Sequence, residues 1–149
     1  MILIYFSFLL LLLILWSEQE ESKEVLYFAY GSNTNSDVFL KRIENARYVG
    51  TGLLEGYMVD LQQHATLVEC DKCSVKGVVW ALTKDDFMLL DEIEKDYIRV
   101  SVRVATNRLK TMDTYFLKQS ENKKASSRYV KKVLHGYKEN DIRMAQLRS

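Results

Sequence analysis

Glu94 falls within the stretch LDEIEKDY, residues 90 to 97, where its position suggests acid–base chemistry. It follows Phe87 by seven residues and Ile93 by one, so it lies beside the apolar stripe of a helix in its last turn. The carbonyl end of a helix carries partial negative charge, and that dipole, together with any burial, pushes a carboxyl toward its neutral form. A general acid or base working near neutral pH needs a shift in that direction. The alternative is a solvated glutamate at a frayed helix end. A second stretch, YFAYGSN at 27 to 33, runs strand-like residues straight into Gly31, Ser32 and Asn33. Glycine lets the backbone approach a ligand closely, and successive N–H groups ahead of a helix form a concavity suited to an anion or oxyanion. As a bare pattern this is also ordinary turn chemistry. It is too short for a phosphate-binding P-loop and lacks the lysine of one.

The remaining reactive side chains form no such arrangement. His64 and His135 have no Cys, Asp or Glu spaced to complete a triad, and no histidine lies near Ser32 in sequence. Cys70 and Cys73 stand as CDKC. They could close a small loop in an oxidising compartment, whereas a metal site would need ligands beyond the one nearby histidine, His64. The pair therefore reads as a structural turn, with or without a disulfide, and no metal site is expected.

These residues need elements to hold them. EVLYFAY is rich in β-formers and nearly all apolar, which predicts a central strand covered on both faces. Asn35 or Ser36 can cap a helix across DVFLKRIENA, with Val38, Phe39 and Ile43 along one side. ARYVGTGLLEGYMVDLQ carries three glycines among apolar residues and predicts bent or bulged strands. ATLVEC and SVKGVVWAL read as a hairpin around the cysteine turn. Thr83 is a cap for a helix through TKDDFMLLDEIEK, with Phe87, Leu90 and Ile93 at helical spacing. In YIRVSVRVAT the alternation turns Ile98, Val100, Val102 and Val104 inward and Arg99, Ser101 and Arg103 outward, with Tyr97 on the polar-side register. TMDTYFLK is a further strand. The tail from Ser126 reads as a helix interrupted near Gly136, followed by a second short one. Such a mixture predicts an α+β barrel or a strongly curled sheet.

The chain has 149 residues, 48% of them hydrophobic, enough for one domain with one core, here placed at 25–149. Net charge is +1, yet residues 17 to 98 balance at −8 and 99 to 149 at +9, which predicts complementary halves and a basic outer surface. The basic run NKKASSRYVKK has Tyr129 as its sole aromatic, so it lacks the stacking ladder of a single-strand binder, and no nucleic acid is expected. The first sixteen residues, MILIYFSFLLLLLILW, are nearly all apolar. They fall short of the roughly 20 needed to span a bilayer, which favours a signal peptide within residues 1–20 over an anchor. Cleavage is placed between Trp16 and Glu20. Trp16 at a water boundary would equally suit an interfacial anchor. The protein is accordingly expected to be secreted or lumenal, touching a membrane only through an uncleaved N-terminal segment.

Five blocks in order carry a resemblance: YFAYGSN, GVVWAL at 77 to 82, LDEIE with Tyr97 following, VRVAT at 102 to 106, and YVKKVLHGYKEN at 129 to 140. Together they resemble the γ-glutamylcyclotransferase family over about residues 25 to 140. YGSN is closer to γ-glutamylcyclotransferases proper than to the γ-glutamylamine branch, which tends to read Tyr-Gly-Thr-Leu. The resemblance implies a small mixed β-barrel with flanking helices, no cofactor, and release of 5-oxoproline from γ-glutamyl amino acids. By residue, it implies Glu94 as catalytic acid/base and Tyr27, Phe28, Ala29, Tyr30, Gly31 and Ser32 as the substrate loop. It also implies Tyr129 as a substrate contact and Tyr97 beside the pocket. Gln63 and His64 replace a glycine pair usual before the ATLV strand, and the 57–74 region is shorter than usual. That remodelling motivates a second reading, a catalytically inactive secreted binding protein that keeps the barrel. A homodimer stays open.

Overall fold

In the computed structural model the described residues are 1–21 and 23–148, with side chains described for 1–15 and 23–148. The apolar run forms helix α1 (Ile2–Glu21), and its large apolar side chains from Met1 to Leu15 are exposed. Among the described residues no helix is long and apolar enough to cross a membrane. The expected cleavage zone from Trp16 to Glu20, and Trp16 at a water boundary, concern side chains outside the described residues.

Strand β1 (Glu24–Ala29) is central, as its apolar run requires. It pairs antiparallel with β3 (Ala65–Thr83) and parallel with β5 (Leu109–Leu117). β5 pairs with β4 (Tyr97–Ala105), β4 meets β2 (Arg47–Leu61), and β2 pairs along its length with β3, so five strands close into a barrel. Alternation along β1 sends its side chains into two layers. Phe28 joins Val79, Val102, Val104 and Met112, all from strands, and fills the barrel. Tyr27 and Ala29 join Phe39 of α2 (Ser36–Arg42), Phe87 and Leu90 of α3 (Lys84–Ile93), and Val133 and Tyr137 of α4 (Ser127–Glu139). Seven residues are too few for a helix to persist alone in water, so the burial of Phe39, rather than propensity, holds α2 in place. Asn35 caps it, accepting from the N–H groups of Asp37 and Val38, and Thr83 caps α3 from Asp86 N–H. Ion pairs Arg148–Asp60 and Arg99–Asp91 link the two oppositely charged parts of the chain.

Four expectations change. There is no hairpin at the cysteines: β3 runs unbroken through residues 65–83, and the chain reverses at Gln62 to His64 instead. Pairing jumps from Tyr57–Glu69 to Glu55–Ser74, so residues 70–73 are surplus on β3 opposite Gly56, and a Cys70–Cys73 disulfide closes that bulge. α4 is not interrupted at Gly136, because the glycine serves close packing: a Cβ there would lie 2.2 Å from Thr34 Oγ1 and 2.6 Å from Asn35 N. Ile98 is 52% exposed and Val100 half-buried; inward alternation takes hold only at Val102 and Val104, where β4 enters the packed interior. The tail ends in a 3-10 turn at Met144–Gln146 and strand β6 (Leu147–Arg148) beside β2, not in a second α-helix.

The disulfide spans a sequence separation of 3 and neither cysteine lines the cavity described below. In the chain-entropy account so short a loop is worth at most about 2 kcal/mol. A Cys70→Ser, Cys73→Ser protein should lose no more than that in urea unfolding.

Candidate active site

Strand β1 ends by delivering Tyr30 and Gly31 to a 3-10 turn, Ser32–Thr34, which leads directly into α2. The turn's polar groups are fastened from all sides. Thr34 Oγ1 donates to Gly31 O at 2.7 Å, Trp80 Nε1 to Asn33 O at 2.9 Å, and Tyr137 Oη to Tyr30 O at 2.6 Å. From α4, Asn140 Nδ2 donates to Thr34 O, while Asn35 Nδ2 donates in turn to Lys132 O. A buried turn needs such an accounting, since each orphaned polar group would cost stability. Its first internal bond is Thr34 N–H to Gly31 O, so the N–H groups ahead of it have no acceptor within the turn.

α3 brings Glu94 to the same place. Its N–H closes the helix on Leu90 O at 2.8 Å, and its side chain is only 16% exposed. Asn33 Nδ2 donates to Glu94 Oε1 at 3.1 Å and to Tyr27 Oη at 3.0 Å. Arg42 Nη1 lies 2.8 Å from Asn33 Oδ1 and 3.4 Å from Glu94 Oε1. One carboxylate oxygen is thus held by two donors, and Oε2 has no protein hydrogen bond among the described residues. Burial pushes the Glu94 carboxyl above its ordinary range, and the Arg42 charge and the Asn33 hydrogen bond pull back only part of that rise. Burial likewise raises Tyr27, Tyr97 and Tyr129, which stay neutral hydroxyls.

The opposite wall is built on Ala65. Its N–H donates to Tyr129 Oη at 3.0 Å and its carbonyl accepts from Tyr97 Oη at 2.7 Å. Gly31 packs there because a Cβ would come within 3.1 Å of Ala65 Cβ and 3.3 Å of Tyr129 Oη. Between these walls is a cavity of about 290 Å³.

Tyr27, Tyr30, Gly31, Ser32, Glu94, Tyr97 and Tyr129 all line it. Phe28 and Ala29, expected in the substrate loop, do not. Alternation buries their side chains in the barrel and under the helices, at 0% and 1% exposure. Sequence reasoning missed Asn33 and Arg42 as the groups that hold the carboxylate. Arg42 follows Phe39 by three residues and Val38 by four, so a charge on the apolar stripe of α2 was the available signal. It also missed His64 and Lys132 in the lining; the available signals were the Gln63–His64 replacement of a glycine pair and the three-residue spacing of Lys132 from Tyr129. Among the described residues no three His, Cys, Asp or Glu side chains converge as a metal site would require.

Comparison with known proteins extends this likeness along the chain. The gamma-glutamyl cyclotransferase, AIG2-like family model matches residues 27–135. Human gamma-glutamylcyclotransferase is 29% identical over 140 residues, covering 82% of this chain and 74% of that protein. The mouse protein of the same name is 28% identical over 141 residues, covering 83% and 75%. A solved gamma-glutamyl cyclotransferase structure superposes with a TM-score of 0.74 at 28% identity, over 83% of each chain. With the turn, the glutamate and all of the barrel but the first three residues of β1 inside the matched span, the chain belongs to the gamma-glutamyl cyclotransferase, AIG2-like family.

Proposed function

We propose that the protein is a γ-glutamylcyclotransferase, releasing 5-oxoproline and a free amino acid from γ-glutamyl amino acids. The observation that carries this reading is Glu94: a buried carboxylate, fixed through one oxygen, facing the same cavity as the Gly31–Ser32 turn. In the reaction Glu94 takes a proton from the substrate's α-ammonium, and the freed nitrogen attacks the γ-carbonyl carbon. The carbonyl π pair moves onto oxygen, where N–H groups of the Tyr30 to Ser32 segment stabilise the charge, each donor being worth ~3 kcal/mol. When the oxyanion collapses, the bond to the leaving nitrogen breaks and Glu94 returns the proton to it. The ring nitrogen, still positively charged, then gives its second proton to the regenerated carboxylate, which passes it to the freed amine, leaving a neutral lactam and an ammonium. Nucleophile and electrophile belong to one molecule, so holding the substrate folded supplies much of the acceleration. Neutral Tyr97 and Tyr129 hydroxyls, each tied to Ala65, keep the opposite wall in place while this happens.

The direct test is 5-oxoproline formation from γ-glutamyl-alanine by the chain lacking its apolar N-terminal segment. Absence of product from folded protein at high concentration rules the reading out. The acid limb of the profile gives a further check. Only ionised Glu94 can accept the proton, so kcat/KM should fall as pH drops through its raised pKa. Arg42 opposes that rise, so Arg42→Ala should move the acid limb to higher pH, as measured by kcat/KM across a buffer series. A limb that stays put or moves down removes Arg42 from this role.

The exposed apolar side chains of α1 and the Cys70–Cys73 disulfide support export to an oxidising compartment, with the N-terminal segment either removed or kept as an anchor. N-terminal sequencing of protein recovered from the medium distinguishes removal from retention.

A further inference from the structure

The catalytic cavity holds one cation with no protein partner among the described residues. Arg42 is committed to Asn33 and Glu94, and His64 to Glu121, whose Oε2 lies 3.0 Å from its Nδ1. The Lys132 ammonium, in contrast, makes no ion pair or hydrogen bond there; only the residue's carbonyl is engaged, by Asn35. Lys132 stands three residues after Tyr129, so both sit on one face of α4. It also borders a second, more open hollow formed by Arg128, Lys131 and His135 of α4 with Asn35 and Asp37 at the start of α2. His135 is near Asp37 and Glu139, each at 3.9 Å, while Arg128 and Lys131 have no ion pair among the described residues. The two hollows meet at Lys132, and the outer one carries an excess of positive charge.

A γ-glutamyl amino acid brings two carboxylates to this site. One stays on 5-oxoproline; the other departs with the leaving residue. The glutamyl part must fold back on itself to close the ring beside Glu94, so the leaving residue has to extend outward from the γ-carbonyl. Resting on the cyclotransferase reading, we propose that Lys132 is a specificity residue that binds the carboxylate of the leaving amino acid. Arg128 and Lys131 lie beyond it, so acidic leaving residues are favoured over neutral ones and over carboxamides. The expected discrimination is about fivefold, because Lys132 is exposed and a single solvated contact is partly screened.

The test compares γ-glutamyl-alanine, γ-glutamyl-alaninamide and γ-glutamyl-glutamate as substrates of the wild type and of Lys132→Gln. Wild type should give the highest kcat/KM with γ-glutamyl-glutamate and the lowest with the amide, and the gaps should narrow at high salt. Lys132→Gln should lose most on the two substrates with a free leaving-group carboxylate, collapsing the gap to the amide. An equal loss on all three places Lys132 on the glutamyl carboxylate and overturns the proposal, as does a wild type that treats dipeptide and amide alike. Calorimetric titration of the same compounds into Glu94→Gln, with and without Lys132→Gln, separates this inference from the reading beneath it. Preference in binding without wild-type turnover keeps the subsite and removes the cyclotransferase. Turnover without any preference removes the subsite alone.

Discussion

Replacing Glu94 with glutamine should lower 5-oxoproline release by roughly 10²- to 10⁴-fold while leaving the melting temperature unchanged or raised. On the proposed mechanism the loss follows from removing the group that carries the proton from α-amine to leaving amine. Stability moves the other way because of the sign of the pKa shift. The folded-state pKa of Glu94 is raised, chiefly by burial, so the protonated form is favoured by folding. That contribution is fully present below the unfolded pKa and lost as pH rises through the folded one. At neutral pH the ionised carboxylate is therefore a cost, one that Arg42 and Asn33 offset in part. A neutral amide keeps an oxygen for those donors and has no charge to desolvate. Thermal melts at neutral pH and near pH 4 check this reading, since any gap between variant and wild type should close as Glu94 becomes protonated. A variant that retains turnover, or melts far below wild type at neutral pH, would contradict it.

A functional group on an apolar stripe is legible in sequence because the stripe's period is fixed by the helix. That is why Glu94, one residue past Ile93, stood out, and why β1 could be read as central from EVLYFAY. The same logic fails where one signal has two causes. Gly136 looked like a helix break, since glycine usually marks an end, but it is there so that α4 can lie against the backbone of Thr34 and Asn35. CDKC looked like a hairpin turn, but its residues are surplus in a bulge whose existence depends on pairing with β2. Phe28 and Ala29 sit inside a matching motif and still face away from the cavity, because a motif constrains residue type while the strand's alternation decides direction. The Arg42–Asn33–Glu94 contacts join three elements and depend on tertiary packing, which no local period encodes.

Gly136→Ala should destabilise the protein by about 2 kcal/mol or more, despite placing the best helix former in a helix. Two effects of known size compete. Helix propensity alone would favour alanine over glycine by about 1 kcal/mol. Against it, the new methyl would approach Thr34 Oγ1 to 2.2 Å, Asn35 N to 2.6 Å and Thr34 C to 2.8 Å. A side-chain hydroxyl can rotate away, but two of those atoms are backbone, inside a turn whose carbonyls at Tyr30, Asn33 and Thr34 are all hydrogen-bonded. Relief therefore requires α4 and the turn to separate, stretching the Asn140 to Thr34 and Tyr137 to Tyr30 bonds, and overpacking of that kind typically costs about 1–3 kcal/mol before any bond is lost. Because the same turn carries Gly31, Ser32 and Asn33, displacement should also reach the chemistry, lowering kcat/KM as well as the urea midpoint. Ser127→Ala, on the exposed first turn of α4, is the matched control and should leave turnover within about twofold. A Gly136→Ala protein more stable than wild type by the propensity difference would mean that α4 does not press on the turn, and the clamp on that turn would have to be sought elsewhere.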